Sequence, residues 1–436
     1  MSNQYRECRT AEADIGMSFY LSDADGTLGR IKKEPEDFIV NEISDRPEPV
    51  AGGRFVIADV TSRNWETNRL IRLLSRSLGV SRERIGFAGT KDKRAVTTQL
   101  MSFECPMESM QKISLKDVEI KNLYTARRGV KIGDLIGNSF LIKVTECEMP
   151  ENLIPETLDK VSSIVNGTGG FPNYFGVQRF GVVRPITHKV GELIVRGDFE
   201  GAVRCYVSDP SLYEDEDAAS ARSSLSEGDD WATVLKNMPD SLSFEKLMVE
   251  HIVFNPEDWK GAIGKLSKNL QMMFVHAYQS YLFNRMLSGR MRSGLPLNKP
   301  VIGDVVIPLD SNKIPQHENP IITTKNNIDL VSRQVRSGRA FVTISLFGSE
   351  SVIAEGEMGD IERAVIEDER LSAKDFIVPD LPYCSSKGSR REILCPVADL
   401  SHKAADGGYE VSFSLPKGNY ATCLLREYMK SEMSKY

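Results

Sequence analysis

Long apolar runs are absent from this chain. No stretch approaches the roughly 18 to 20 residues that span a bilayer, and the polar start MSNQYRECRTAEAD has no signal-peptide centre. A soluble, cytoplasmic protein is expected. Paired cysteine motifs are lacking too: Cys8, Cys105, Cys147, Cys205, Cys384, Cys395 and Cys423 are scattered, odd in number and without a C-x-x-C to hold zinc. They read as reduced thiols, mostly buried. The five histidines, His188, His251, His276, His317 and His402, show no HExxH or comparable metal spacing. Neither G-x-S-x-G nor a dinucleotide fingerprint occurs, so hydrolases and dehydrogenases lose ground. No repeat with a period of about 20 to 50 residues is found. No metal and no cofactor are expected.

What is present is size and patterned charge. With 436 residues, 41% hydrophobic and 27% charged, the chain buries a sizeable core and is expected to form two domains. Its formal net charge of -6 by itself argues against nucleic acid. The local distribution reverses that. From Arg63 to Arg94, nine basic residues (Arg63, Arg69, Arg72, Arg76, Arg82, Arg84, Lys91, Lys93, Arg94) stand against three acids (Glu66, Glu83, Asp92). The acidic excess gathers partly in YEDEDAASARSSLSEGDD, where Glu214, Asp215, Glu216, Asp217, Glu227, Asp229 and Asp230 face only Arg222. The stretch from about 211 to 230 reads as an exposed or mobile loop.

FIVNEI, RFVIADV and SFLIKVTE carry the alternation of half-buried strands. Between them a helix is expected from an Asn64 cap to Leu78, stopped by Gly79, with Leu70, Ile71, Leu74 and Leu78 inward. Arg69, Arg72 and Arg76 then form a stripe on the other side, either a solvated charged face or an RNA contact. In KLSKNLQMMFVHAYQSYLFNRMLSG, Leu266, Leu270, Met273, Phe274, Ala277 and Tyr281 repeat at helical spacing and Gly289 closes the pattern. RAFVTISLFG and YEVSFSLP read as strands, and YATCLLREYMKSEM as a final helix.

Two loops carry candidate chemistry. GFAGTKDKRA begins like a phosphate loop but lacks the Gly-Lys-Ser/Thr succession. Instead Asp92 stands between Lys91 and Lys93-Arg94, where positive charge favours an ionised carboxylate suited to a nucleophile or base. An ordinary surface turn of alternating charge has the same appearance. In NYFGVQRFG, residues 173 to 181, Asn173 could hydrogen-bond a base edge, Tyr174 or Phe175 stack on it and Arg179 reach a phosphate. Aromatic plugs of a small core look alike.

Together KKEPEDFIVNE (32 to 42), GFAGTKDKRAVTTQ (86 to 99) and NYFGVQRFG resemble the TruD family of tRNA pseudouridine synthases. RRGVKIGDLIGNSFLIKV, FVHAYQSYLFNRM and FSLPKGNYATCLLRE fit it in order. About 205 to 265 and 290 to 385 match little. The resemblance implies an α+β fold: a mixed, largely antiparallel sheet with helices, interrupted by a family-specific α/β insertion, with an RNA cleft between the two parts. The catalytic domain is expected at 1–182 and 393–436 and the insertion at 183–392, with helix 267–288 a candidate to pack on the catalytic domain. By motif position Asp92 is the catalytic aspartate. Lys32 is its basic neighbour, with Lys33 the alternative register. Phe175 stacks on the target base, and Asn173 orients the base or the aspartate. Arg179 joins them in substrate binding, and Arg69, Arg72, Arg76, Lys91, Lys93 and Arg94 are RNA-backbone candidates. The expected partner is tRNA, most often at the D-arm uridine numbered 13, met by a monomer. Asp92 attacks C1′ or abstracts the C2′ proton of a flipped nucleotide. Another RNA target, or RNA binding without catalysis, remains the alternative.

Overall fold

The computed structural model describes residues 5–211, 213–226, 228, 230–310 and 314–436. The chain divides into two compact units, one of Ala24–Phe171, Cys395–Ser431 and Lys435–Tyr436, the other of Met1–Asp23, Pro172–Leu394 and Glu432–Ser434.

The first unit is built on a mixed eight-stranded sheet. Its order is Ala398–Ala405, Gly408–Pro416, Leu135–Thr145, Phe38–Ser44, Val96–Phe103, Phe55–Arg63 and Val118–Ala126, with Ile85–Phe87 pairing Val96–Phe103 off this path. Every pairing is antiparallel except the central one, where Ile39, Val40 and Asn41 run parallel to Val96, Thr97 and Thr98. The expected strands are all present. Alternation along Gly408–Pro416 buries Tyr409, Val411, Phe413 and Leu415, and the Phe413 ring stacks on cross-strand Phe140 at 5.2 Å.

The Thr67–Leu78 helix lays Leu70, Ile71 and Leu74 on Val56, Ala58, Val60, Met101 and Phe103, a burial of about 1.5 to 3 kcal/mol per large side chain. Gly79 ends it in the left-handed conformation at φ +65°. Its cap is Glu66 rather than the expected Asn64. The Glu66 carboxylate accepts from the Asn68 and Arg69 amides at 2.9 Å each, whereas the Asn64 amide donates to the Ala95 carbonyl. Sheet pairing thus runs on past Arg63 and delays the helix.

The second unit is mainly helical, with a four-stranded antiparallel sheet ordered Ile321–Ile322, Val305–Pro308, Ala340–Leu346 and Ser389–Glu392. Its axis is the Lys268–Arg292 helix, buried on most sides. Gly289, expected to close that helix, lies inside it. A Cβ there would stand 2.7 Å from Ile361 Cγ2, so the glycine serves close approach of the Gly356–Asp368 helix. Among the described residues, no helix is long and apolar enough to cross a membrane.

The expected domain limits are displaced. Tyr5–Asp23 and Asn173–Gly181 lie in the helical unit because polar side chains of its axis satisfy their backbones. Ser288 Oγ accepts from Ser18 N and donates to Gly16 O, and Asn284 Nδ2 donates to Ile15 O and Phe175 O. The acidic stretch is also not a loop throughout, since Glu216–Ser226 is helical. Arg222 is buried there, donating to Glu214 at 2.9 Å, to Glu245 at 2.7 Å and to the carbonyls of Tyr206 and Val207. Acids that look merely solvated enclose an arginine. Glu227 and Asp229 of that stretch lie outside the described residues.

Candidate active site

Parallel pairing decides what meets Asp92. Because Ile39 aligns with Val96, the segments preceding these two strands, Lys32–Asp37 and Lys91–Ala95, reach the same edge of the sheet. Arg63 pairs with Val96, so the antiparallel neighbour ends there and its helix starts there. Four polar contacts then hold the loop. Gln99 Nε2 donates to Gly89 O at 2.7 Å, Lys91 N to Thr67 Oγ1 at 2.9 Å, Lys91 Nζ to Glu42 Oε2 at 2.6 Å, and Arg94 to Lys33 O at 3.0 Å.

Lys32 Nζ reaches Asp92 Oδ2 at 3.4 Å and lies 4.3 Å over the Phe38 ring. Its backbone stands at φ +57°, uncommon for a residue with a Cβ. Lys33 turns elsewhere, to Glu146 at 2.9 Å, and that contact raises its pKa. Of the two lysines, Lys32 is therefore the one beside Asp92. The Asp92 side chain is 52% exposed, so in this state it sits at a water-accessible edge and not in a low-dielectric pocket.

Lys91 differs from its expected role. Its side chain and that of Glu42 are 5% and 1% exposed, so its ammonium is committed to Glu42 and unavailable to a phosphate. Lys93 and Arg94 are exposed, as are Arg69, Arg72 and Arg76 on the outer side of their helix. Arg69 also lies over the Trp65 ring at 5.6 Å.

Asn173, Phe175 and Arg179 belong to the other unit, on a loop carried by one stripe of the Lys268–Arg292 helix. Positions four apart face the same way on a helix. Ser280 Oγ accepts from Arg179 Nε at 3.2 Å, Asn284 bonds the Phe175 backbone both ways, and Ser288 Oγ lies 2.9 Å from the Tyr174 hydroxyl. Burial, then the Arg179 charge, lowers the pKa of His276 one turn earlier. Asn173 is buried, donating to Glu392 O at 3.1 Å and accepting from Arg391 Nη2 at 2.7 Å. The Arg391 guanidinium also lies 4.2 Å from the Phe175 ring centre, with Arg179 at 5.6 Å and Phe283 edge-on at 5.5 Å. Phe175 is consequently only 6% exposed.

Glu42, Thr67, Gln99 and Arg391 went unread as functional positions. Glu42 and Gln99 lie inside the quoted segments, as the last residue of KKEPEDFIVNE and of GFAGTKDKRAVTTQ. Arg391 has no comparable signal. Among the described residues no three His, Cys, Asp or Glu side chains gather as they do around a metal ion.

The model of the family described as tRNA pseudouridine synthase D (TruD) matches residues 14–428. A Methanococcoides burtonii relative named "Probable tRNA pseudouridine synthase D" is 42% identical over 431 residues, 97% of this chain and 98% of its own. A relative from Methanosarcina acetivorans with the same name is 41% identical over 434 residues, 98% of each chain. A solved Methanosarcina mazei structure bearing the TruD name has a TM-score of 0.87 at 40% identity, covering 97% of this chain and 98% of its own. The chain belongs to the tRNA pseudouridine synthase D family, and its fold is the α+β fold of that structure.

Proposed function

We propose that this protein isomerises uridine to pseudouridine in tRNA, with Asp92 as the catalytic carboxylate and the D-arm uridine at position 13 as its target. The observation that carries the reading is the pair Lys32–Asp92 at 3.4 Å, on a loop held by four polar contacts inside a segment that matches the family. The reaction breaks the bond from C1′ to N1, turns the uracil and joins C1′ to C5. The C5 proton leaves and N1 gains one, so no redox partner is needed. Asp92 acts on the sugar as nucleophile at C1′ or as base at C2′. Lys32 holds the carboxylate at the sheet edge and supplies the nearest positive charge.

The units 24–171 with 395–431 and 172–394 correspond in this reading to the catalytic domain and the family's insertion. Asn173, Phe175 and Arg179 serve the flipped base. Because two guanidinium groups lie over Phe175, a base stacks on the ring only by replacing one of them. Exposed Arg69, Arg72, Arg76, Lys93 and Arg94 face the phosphates. The protein works as a cytoplasmic monomer. Incubation with tRNA carrying labelled uridine tests the reading: pseudouridine at position 13 is expected, whereas tight binding without product would leave an RNA-binding protein. Product confined to another position would refute the target.

A further inference from the structure

Arg204 and Glu200, one turn apart on the Phe199–Ser208 helix, pair at 2.8 Å with both side chains about half exposed. The Arg204 guanidinium lies 5.6 Å from the Trp231 ring centre and 5.2 Å from that of Trp259, and the two indoles meet edge to face at 5.7 Å. Two of the three tryptophans of the chain thus converge on one arginine. They line a cleft of about 580 Å³ together with Ile252, Pro256 and Glu257. A neighbouring depression of about 280 Å³ shares Glu200, Glu257 and Trp259 and adds Phe199. Lys260 lies over the Phe199 ring at 5.3 Å and pairs at 2.6 Å with Asp380, which is not among the lining residues of either hollow. A cation over an aromatic ring and paired with a carboxylate thus occurs twice, side by side.

The lining of the two hollows is acidic: Asp198, Glu200, Glu257 and Asp258 stand there against Arg204 and Lys260. A phosphate backbone is repelled by such a surface, so RNA is the wrong occupant. We propose that this cleft binds an arginine- or lysine-bearing basic segment of a partner protein, with Arg204 and Lys260 as the occupants that it displaces. Tryptophan faces and carboxylates select organic cations, and the chain's own cations show that this chemistry fits. An exposed ion pair and an exposed cation–π contact are each weak, so both yield to an incoming segment that brings several cations at once.

The test is calorimetric titration of the full chain with a short Arg-Ala repeat peptide. Saturable binding is expected, weakened at least about tenfold by Trp259→Ala and by the surface pair Glu200→Gln with Glu257→Gln. Arg204→Gln should strengthen it at least about threefold, because the cleft is vacated, while Lys236→Gln, the same charge loss outside the cleft, should not. Should Trp259→Ala misfold, the glutamine variants carry the test. Absence of binding, insensitivity to the cleft variants or weakening by Arg204→Gln would each overturn the proposal. Spermine matching the peptide's affinity and displacing it would likewise replace the peptide with a free polyamine.

Discussion

Two lysine–carboxylate pairs stand side by side in the first unit and differ in almost everything else. Lys91–Glu42 is 2.6 Å long with both side chains almost wholly buried; Lys32–Asp92 is 3.4 Å long, and its carboxylate is half exposed. Neighbouring residues in one loop, Lys91 and Asp92, therefore have opposite duties. The buried pair is rigid because neither ion has water to fall back on. Its stiffness passes along the backbone to Asp92, whose own pair is longer and open to water, as the proposed reaction requires. Structural rigidity is placed one residue away from chemical freedom.

Removing the exposed carboxylate should have the largest effect. Asp92→Asn is expected to lower turnover more than about 100-fold with tRNA affinity within a few-fold of the parent; single-turnover assays and filter binding measure both. Breaking the buried pair should act on folding instead. Glu42→Gln leaves an uncompensated ammonium and should cost the first unit about 3 to 5 kcal/mol, read as a lower denaturation midpoint. Glu42→Met with Lys91→Met should recover much of that loss but not the turnover, since the loop is no longer aimed.

A buried ionisable group without a counter-charge sharpens the contrast. His188, between the Phe180 and Tyr281 rings, has its pKa lowered to about 4 by burial and then by Lys189. The unfolded chain takes up the proton near the ordinary value of about 6.5 and the folded chain only near 4. Stability of the helical unit should therefore fall as pH drops from about 6.5 to 4, by up to about 3 kcal/mol. Denaturation of His188→Phe across this range should show a flatter profile.

At Lys32 the effect should be smaller. Lys32→Met is expected to slow turnover about 10- to 100-fold while shifting stability by less than about 1 kcal/mol, with Lys32→Arg in between because a planar guanidinium replaces a compact ammonium imperfectly. A stability loss as large as that of Glu42→Gln would erase the distinction between the pairs. The smallest change belongs to the fully solvated charges. Replacing Arg69, Arg72 and Arg76 together by glutamine should weaken tRNA binding and flatten its logarithmic salt dependence by about one to three units; an unaltered slope would make the stripe plain solvent-facing charge.

Much of this was readable along the chain. Strand alternation, the apolar face of the Thr67–Leu78 helix and the Gly79 stop are local patterns, and the sequence states them because side-chain period follows backbone geometry. The segments around Asp92, Lys32 and Phe175 were recognisable for the same reason: each is short and contiguous. Misreadings arose where a partner was distant. Arg222 among acids looked like part of a solvated loop until Glu245, on another helix, closed around it. Gly289 looked like a helix stop until Ile361 occupied the space a Cβ would need.

By itself, then, the sequence determined the elements, the family and the loop that carries the carboxylate. Only the tertiary structure decided which lysine stands beside it. Lys32 and Lys33 are chemically identical and adjacent, and no composition or spacing separates them. The parallel register of Ile39 on Val96, with the left-handed turn at Lys32, brings one ammonium to Asp92 and sends the other to Glu146. Glu42 and Lys91, 49 residues apart, likewise meet only because the sheet brings them together. Charge falls off over a few ångströms, and that distance is set by folding, not by order along the chain.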